Sequence, residues 1–210
     1  MKIIVVANVE QQEEIRCKNT NPDVKMIFTE NYSVLPGTED YDAVFYLNAG
    51  RKASIDKHDN RPVIINSVTE TLKENNLPGN FSRINGWPGF LKRSTWEVAS
   101  DDISMTKRLF EQLGWDAVFV TDEPGLVSAR VVSMIVNEAF FALEERVSSE
   151  EEIDTAMRLG TNYPYGPFEW LGKIGISDIY HLLHKLSATD KRYSLAPLLE
   201  QKYSQLLFSK

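Results

Sequence analysis

The first 121 residues alternate between short apolar runs and short helical stretches, and this alternation limits the fold more than any other feature of the chain. The apolar runs are rich in valine, isoleucine and phenylalanine, with little polar alternation, which is typical of parallel strands buried on both faces. Alternating strands and helices form right-handed units. The sequence therefore predicts a doubly wound α/β domain. The predicted strands lie at residues 2–7, 24–28, 42–47, 62–66 and 116–121, and the predicted helices at 9–19, 69–75 and 102–114.

The pattern becomes entirely helical after the turn TDEPG. Residues 125–147 read as one long helix of apolar, small and acidic residues. Ser149 and Glu152 have the spacing of a capping box, which predicts a further helix over residues 150–159 that ends at Gly160. Three more helical patterns follow, at residues 167–175, 176–188 and 195–207.

This change of pattern divides the chain into two predicted domains. Residues 1–121 form the predicted α/β domain, and residues 122–210 form the predicted all-α domain. A chain of 210 residues is long enough to bury a substantial core in one large or two small domains.

Charge and composition exclude several classes of partner. The formal net charge of -7 argues against nucleic acid or an anionic membrane as a main partner. No apolar stretch approaches the roughly 18 residues of a membrane span, and the apolar run at the N-terminus is too short for a signal peptide. The single cysteine, Cys17, cannot form an internal disulfide, and we expect it to be a half-buried helix residue. These features favour a cytoplasmic protein.

The turn after the first strand lacks the glycines that cradle a dinucleotide. The G-x-G-x-x-G fingerprint would place glycine at Ala7, Val9 and Gln12, where side chains hold phosphate away from the backbone N–H groups. Three glutamates in the following helix oppose a bound anion. Glu30, at the end of the second predicted strand, is a candidate for holding a ribose, and the alternative is an ordinary loop glutamate.

The histidines indicate no metal centre. His181 and His184 are three residues apart on one predicted helix, but no cysteine or acidic cluster supplies a convincing third ligand, so a surface or core-edge pair is the favoured interpretation. His58 lies in a polar loop and is expected to be solvated. The aromatic and proline-rich turn at residues 163–170 fits a rigid structural corner and the wall of an acyl or partner groove equally well.

The helical half resembles the 3-hydroxyacyl-CoA dehydrogenase family through two long motifs in the correct order and spacing. The resemblance is specific over residues 116–187 and looser over residues 1–115. The first motif is matched by Asp122, Pro124, Gly125, Leu126, Val127, Ala129 and Arg130, followed by Asn137, Glu138 and Ala139; the second is matched by Asp154, Ala156, Met157, Arg158, Leu159, Gly160, Pro164, Gly166, Pro167, Phe168 and Glu169.

The resemblance implies an N-terminal Rossmann-like domain that binds NAD, here truncated, and a helical domain that makes a homodimer and helps to close an acyl-CoA cleft. Carried over by position, the family's base histidine is Asn85, its partner glutamate is Glu97, and its serine is Ser67 or Thr69. Glu30 takes the ribose-binding position.

Two functional hypotheses remain open on the sequence. An asparagine cannot accept a proton at neutral pH, and the family's substrate-contacting asparagine is replaced by Ala129. These losses, with the missing glycines, favour a pseudoenzyme that performs no redox chemistry but retains acyl-CoA or partner binding. The alternative is an active NAD-dependent 3-hydroxyacyl-CoA or 3-hydroxybutyryl-CoA dehydrogenase of fatty acid metabolism.

Overall fold

The computed structural model describes residues 1–31, 41–48 and 60–208. The predicted loop position of His58 lies outside these residues. Within them, a seven-stranded sheet is followed by a helical region, which confirms the predicted fold class. The strands are β1 Lys2–Val6, β2 Lys25–Thr29, β3 Ala43–Tyr46, β4 Val63–Asn66, β5 Phe81–Ile84, β6 Thr95–Ser100 and β7 Asp116–Phe119.

The strands lie in the order β2-β1-β3-β4-β5-β6-β7. Strands β1 to β5 run parallel to one another, β6 runs antiparallel to β5, and β7 is parallel to β6. All five predicted strands are confirmed, whereas β5 and β6 were missed. The strand order reverses between β1 and β3, and in such sheets ligands bind outside the carboxyl ends of the strands at that point.

The α/β core is built on an aromatic cluster. Trp96 contacts Phe45 and Phe110 in edge-on geometry, with ring centroids 6.1 and 5.9 Å apart, and the ring of Trp115 lies 4.9 Å from that of Trp96. Offset and edge-on aromatic pairs stabilise beyond the area that they bury. Ile15 of the first helix joins the same cluster. This core fixes the first helix against the sheet, at the position where a dinucleotide turn would be.

The predicted helices are confirmed except for the one over residues 69–75, but several boundaries differ: α1 ends at Arg16 rather than 19, and α3 ends at Glu144 rather than 147. The predicted helix over residues 69–75 is only a series of turns, closed by Asn76 at φ 49°. The long helix begins at Ser128 rather than at 125, because Leu126 has φ 49°. Cys17 caps the first helix and is exposed, so its predicted half-burial is wrong. The helices are α1 Val9–Arg16, α2 Ile103–Leu113, α3 Ser128–Glu144, α4 Glu150–Thr161, α5 Pro167–Ile174, α6 Ile176–Ser187 and α7 Pro197–Phe208.

The end of α4 also differs from the prediction. Its capping box is confirmed, since Ser149 Oγ accepts from Glu152 N and the Glu152 side chain accepts from Ser149 N. The helix continues through Gly160 and ends at Asn162, which has the left-handed conformation with φ 54°. Asparagine is the residue other than glycine that ends helices in this way, and here it takes the role expected of Gly160.

The chain forms two compact units, Met1–Leu126 and Val127–Lys210. The first contains the sheet with α1 and α2, and the second contains α3 to α7. The predicted boundary, between residues 121 and 122, lies within the first unit's last turn. Among the described residues, no helix is long and apolar enough to cross a membrane.

Candidate functional site

The turn between β1 and α1 is closed by the chain's own side chains. Asn8 caps α1, because its Oδ1 accepts from Gln11 N at 2.9 Å, and Asn8 N donates to Gln11 Oε1 at 3.2 Å. This reciprocal capping box satisfies N–H groups at the helix N-terminus. Those N–H groups are the ones that a bound phosphate uses in a dinucleotide-binding domain.

Gln11 also ties α1 to the carboxyl ends of two strands. Its Nε2 donates to Leu47 O at 2.9 Å, just after β3, and to Gly86 O at 3.2 Å, after β5. The residue is only 5% exposed. A buried, fully bonded amide therefore crosses the sheet edge where the strand order reverses. Sequence reasoning missed Gln11, although the spacing Asn8-x-x-Gln11 is itself that of a capping box.

The residues at this turn do not fit a dinucleotide pyrophosphate. Ala7 and Val9 carry side chains at the first two fingerprint positions, and Gln12 donates to Ala7 O at 2.8 Å in place of the third glycine. The first turn of α1 carries Glu10. The positive end of the helix dipole stabilises its carboxylate, but the carboxylate repels a phosphate.

Glu30 follows β2 immediately, beside the carboxyl end of β1, and is exposed. Its backbone carbonyl accepts from Asn48 Nδ2 at 2.7 Å. The position is where a ribose-binding carboxylate is expected. Its proposed contact with a ribose stays a prediction.

The loop after β5 is fastened to α1. The Glu14 carboxylate accepts from Gly89 N at 2.5 Å and from Lys92 N at 3.1 Å. At the start of the same loop, Asn66 Oδ1 accepts from Gly86 N at 3.0 Å. A Cβ atom on Gly86 would lie 2.6 Å from Asn66 Cγ, so this close approach requires glycine. Glu14 is one of the three glutamates that oppose a phosphate at α1. Its carboxylate thus holds the loop that begins at Asn85, the predicted position of the catalytic base.

Asn85 follows β5 directly, and Glu97 lies on β6. The antiparallel pairing of the two strands ends at Ile84 and Val98, the chain neighbours of Asn85 and Glu97. The paired role of Asn85 and Glu97 stays a prediction. Asn85 is buried and its Oδ1 accepts from Trp87 N at 3.1 Å, and a carboxamide provides no basic nitrogen.

Ser67 lies in the loop after β4, where its hydroxyl donates to Glu70 O at 2.7 Å. Its carbonyl accepts from the Arg83 guanidinium at 3.0 Å. Arg83 is a second residue that sequence reasoning missed: its side chain is 0% exposed, and Nε lies 2.5 Å from Asp122 Oδ1. This ion pair ties the loop after β4 to the turn that ends the first unit.

In the helical unit, the motif residues form structural hydrogen bonds. Asp154 Oδ1 accepts from Phe168 N at 2.7 Å and Oδ2 accepts from Glu169 N at 3.1 Å, so a side chain of α4 caps α5. Burial raises the pKa of Asp154, while these two donors act in the opposite direction. Asn137 Nδ2 donates to Ser194 O and its Oδ1 accepts from Ala196 N, both at 2.9 Å, which fastens the segment before α7 to α3.

The aromatic turn at residues 163–170 packs as a corner. Tyr165 contacts Trp170 edge-on, with ring centroids 4.8 Å apart, and Phe168 contacts Phe140 of α3 at 5.3 Å. These contacts support the structural interpretation of the turn.

The histidines of α6 lie at the surface. His181 and His184 are both exposed, and His181 Nε2 is 2.9 Å from the Tyr203 hydroxyl. Within the described ranges, no group of three or more His, Cys, Asp and Glu side chains could hold a metal ion.

Sequence comparison with known proteins matches mainly the helical unit. The family model described as "3-hydroxyacyl-CoA dehydrogenase, C-terminal domain" matches residues 125–209. The 3-hydroxyadipyl-CoA dehydrogenase of Escherichia coli K12 is 45% identical over 94 residues, which are 44% of this chain and 20% of that protein. This chain thus spans about a fifth of that relative.

Solved structures extend the likeness to the α/β unit. The crystal structure of 3-hydroxybutyryl-CoA dehydrogenase from Escherichia coli K12 aligns with a TM-score of 0.58 and 31% identity, over 70% of this chain and 32% of that one. The (S)-3-hydroxybutyryl-CoA dehydrogenase of Ralstonia eutropha aligns over 87% of this chain and 70% of its own, with a TM-score of 0.63 and 22% identity, and shows the same fold.

The fold defines the class of protein: a Rossmann-like sheet unit is followed by an all-α unit. The helical unit is similar to the C-terminal domain of 3-hydroxyacyl-CoA dehydrogenases, and the fold of the whole chain is that of solved 3-hydroxybutyryl-CoA dehydrogenases. The family is one of NAD-dependent dehydrogenases.

Proposed function

We propose that this chain is a non-redox member of the family, which keeps the frame of the dehydrogenase without binding NAD in the family's manner. The observation that carries the proposal is the buried Gln11 amide, which bonds Leu47 O and Gly86 O at the carboxyl edge of the sheet. A pyrophosphate approaching α1 would have to break the capping box with Asn8 as well. Leaving those buried carbonyls without donors would cost about 1–3 kcal/mol each.

The base position supports the same proposal. Asn85, which directly follows β5, stands where the resemblance places the base, but an amide cannot take the proton of a 3-hydroxyl group at neutral pH. Glu97 without an imidazole to orient cannot perform the paired role of the family's glutamate. Under this proposal, the chain lacks the proton-transfer step.

We further propose that the chain retains binding of an acyl-CoA or of a protein partner. Its relatives are named as dehydrogenases of hydroxyadipyl-CoA and hydroxybutyryl-CoA, which are CoA thioesters. Because binding of a CoA thioester does not require the redox step, CoA thioesters are the class of ligand to test first.

The second candidate function is an active NAD-dependent 3-hydroxyacyl-CoA dehydrogenase with a rearranged site. It is supported by Glu30, which directly follows β2, where a ribose-binding carboxylate is expected. Under this hypothesis, the capping box at α1 opens when the dinucleotide binds.

Titration with NADH separates the two candidates. We expect no saturable change in nucleotide fluorescence or in melting temperature in the micromolar range, because the pyrophosphate turn is occupied by the Asn8 and Gln11 side chains. Acetoacetyl-CoA, titrated in parallel, is expected to raise the melting temperature if the thioester site is retained. Saturable micromolar NADH binding would overturn the proposal.

Acetoacetyl-CoA reduction provides the matched chemical test. Wild type and an Asn85→His variant are both expected to stay at the protein-free background, because restoring the base does not restore the cofactor turn. Turnover by wild type would establish the dehydrogenase hypothesis. Turnover by the variant alone would show that only the base had been lost.

The oligomeric state is a separate prediction. We propose a homodimer formed through the helical unit, as the family resemblance implies. Gel filtration with light scattering is expected to give twice the 23.9 kDa of one chain. A monomer at high concentration would contradict this interface.

A further inference from the structure

Tyr180, His181 and Tyr203 form an aromatic cluster where α7 contacts α6. The rings of Tyr180 and Tyr203 are stacked, with centroids 3.8 Å apart and an angle of 12° between their planes. The His181 ring meets both of them edge-on, with its centroid 5.8 Å from that of Tyr180 and 5.4 Å from that of Tyr203. Two phenol rings from separate helices are thus held face to face beside one imidazole.

The Tyr203 hydroxyl has a base within hydrogen-bond distance. Its oxygen lies 2.9 Å from His181 Nε2, which accepts the phenol proton when the imidazole is neutral and carries its own proton on Nδ1. This distance is within the range over which a histidine takes a proton as a general base. Asp178 lies one turn earlier on α6, and its carboxylate attracts the imidazolium ion that forms when His181 takes a proton.

A tyrosine beside a base is oxidised more easily than one that is bonded only to water. Loss of an electron leaves a positive charge on the phenol ring and makes its hydroxyl strongly acidic. When a neighbouring imidazole takes that proton at the same moment, the charged intermediate is avoided. His181 is exposed, and Tyr180 and Tyr203 are half-buried, so that small oxidants and water reach the cluster.

We propose that Tyr203 is a site of one-electron oxidation, at which the phenol proton passes to His181 and the resulting radical cross-links α7 to Tyr180 of α6. A one-electron oxidant takes an electron from Tyr203 while His181 Nε2 takes the proton, which leaves a neutral phenoxyl radical. A second equivalent of oxidant converts Tyr180 in the same way, and its proton goes to water.

The stacked rings then join. A C–C bond forms between ring carbons ortho to the two oxygens, and the hydrogens of those carbons move to the oxygens, which restores two phenols. The product is a dityrosine that has lost two electrons to the oxidant and two protons to His181 and water. The reaction requires neither NAD nor a CoA thioester, so it goes beyond the proposed function and does not depend on it.

The test is site-resolved mass spectrometry after the full chain is treated with hexachloroiridate(IV), a one-electron oxidant. We expect a pair of peptides joined between Tyr180 and Tyr203, lighter by two hydrogens than their sum, together with dityrosine fluorescence from the monomeric chain. Tyr165 is the internal control, because it is also half-buried but has Lys173 Nζ 4.6 Å from its ring centroid, and a cation disfavours removal of an electron. Tyr203 is expected to be oxidised about tenfold faster than Tyr165, and more slowly in D2O than in H2O.

Three variants make the result specific to this cluster. His181→Phe keeps an aromatic ring but removes the proton acceptor, so oxidation of Tyr203 should slow about tenfold. His184→Phe is the matched control: it replaces the histidine whose ring stacks on Tyr180 at 5.7 Å, and the rate should stay unchanged. Tyr180→Phe should abolish the cross-link while Tyr203 is still oxidised.

Three results would each contradict the proposal: equal oxidation of Tyr203 and Tyr165, a His181→Phe variant that reacts as fast as His184→Phe, or dityrosine that joins other residues or separate chains. The comparison of Tyr203 with Tyr165 is made within wild type, so it holds even if a variant fails to fold. Neither nucleotide nor thioester is present, so failure here is distinct from failure of the NADH or acetoacetyl-CoA titration.

Discussion

Replacing Asp122 with alanine is expected to lower the free energy of unfolding by about 3–5 kcal/mol, because it leaves a buried guanidinium without its counter-ion. The Arg83 side chain is 0% exposed, and its Nε donates to Asp122 Oδ1 at 2.5 Å. The same carboxylate accepts from Leu72 N at 3.2 Å and from Lys73 N at 3.3 Å. One substitution therefore removes an ion pair and two backbone hydrogen bonds.

Urea denaturation followed by tryptophan fluorescence measures this loss, since three of the four tryptophans lie in the unit Met1–Leu126. Glu111→Ala is the matched control in the same unit. Its pair with Lys107 is exposed on both sides at 3.9 Å, so we expect a change below about 0.5 kcal/mol. Asp122→Asn keeps an acceptor oxygen but not the charge and should fall between the two. A loss for Asp122→Ala no larger than that of the control would show that Arg83 is satisfied without Asp122.

Arg83 also explains why β5 was not predicted. The segment FSRI has two polar residues among four, and apolar periodicity assigns no buried strand to it. In the structure, both polar residues are buried and bonded: Ser82 Oγ lies 2.9 Å from Ser100 Oγ and 2.7 Å from Thr106 Oγ1. Satisfied polar groups can occupy a core, but their partners are distant in the chain and are not visible in a local pattern.

The remaining errors have local causes. The segment at residues 69–75 has helical composition, but Asn76 at φ 49° and the following Pro78 stop it after the first turns. At the end of α4, Gly160 lies inside the helix because Asn162 adopts the left-handed conformation instead. Both boundaries depend on which residue takes a positive φ, and composition alone does not decide this.

The sequence predicted candidate site residues but not the contacts that they make. The sequence identified the missing glycines, and the structure shows that Gln11 and Asn8 bond across that turn. Spacing could not reveal this, because Leu47 and Gly86 reach Gln11 only after the sheet has formed. The antiparallel pairing of β5 with β6, which ends beside Asn85 and Glu97, likewise joins two strands that sequence reasoning did not predict.

The family motif of the helical unit has a structural explanation that the sequence did not provide. Asn137, Asp154 and Glu169 each bond backbone N–H groups of another segment or of a helix start. Such bonds fasten the segment before α7 to α3 and the start of α5 to α4, whether or not the chain performs redox chemistry. A motif of this kind identifies the fold of the unit and is compatible with either proposed function.

Gly166→Ala is the substitution expected to harm the helical unit most. A Cβ atom on Gly166 would lie 2.5 Å from both Cα and Cβ of Asp154, a distance that real Cβ atoms do not adopt. Because one of these atoms is backbone, a change of rotamer cannot relieve the clash, and α4 must move away from the start of α5. We expect a loss of about 2–4 kcal/mol from overpacking together with the weakened cap of α5.

Far-ultraviolet circular dichroism during urea denaturation measures the effect, since the unit Val127–Lys210 is helical in its described part. Gly160→Ala and Gly172→Ala are matched controls in α4 and α5, where an added Cβ meets nothing within 4 Å. Alanine is the better helix former, so these variants should gain about 0.5–1 kcal/mol.

Asp154→Ala completes a double-mutant cycle with Gly166→Ala. Alone it removes the acceptors for Phe168 N and Glu169 N and should cost about 1–2 kcal/mol. In the Gly166→Ala background it should cost less, because the shifted helices have already weakened those bonds. Additive losses, or a Gly166→Ala variant as stable as Gly160→Ala, would contradict the explanation that the second motif specifies a close contact between α4 and α5.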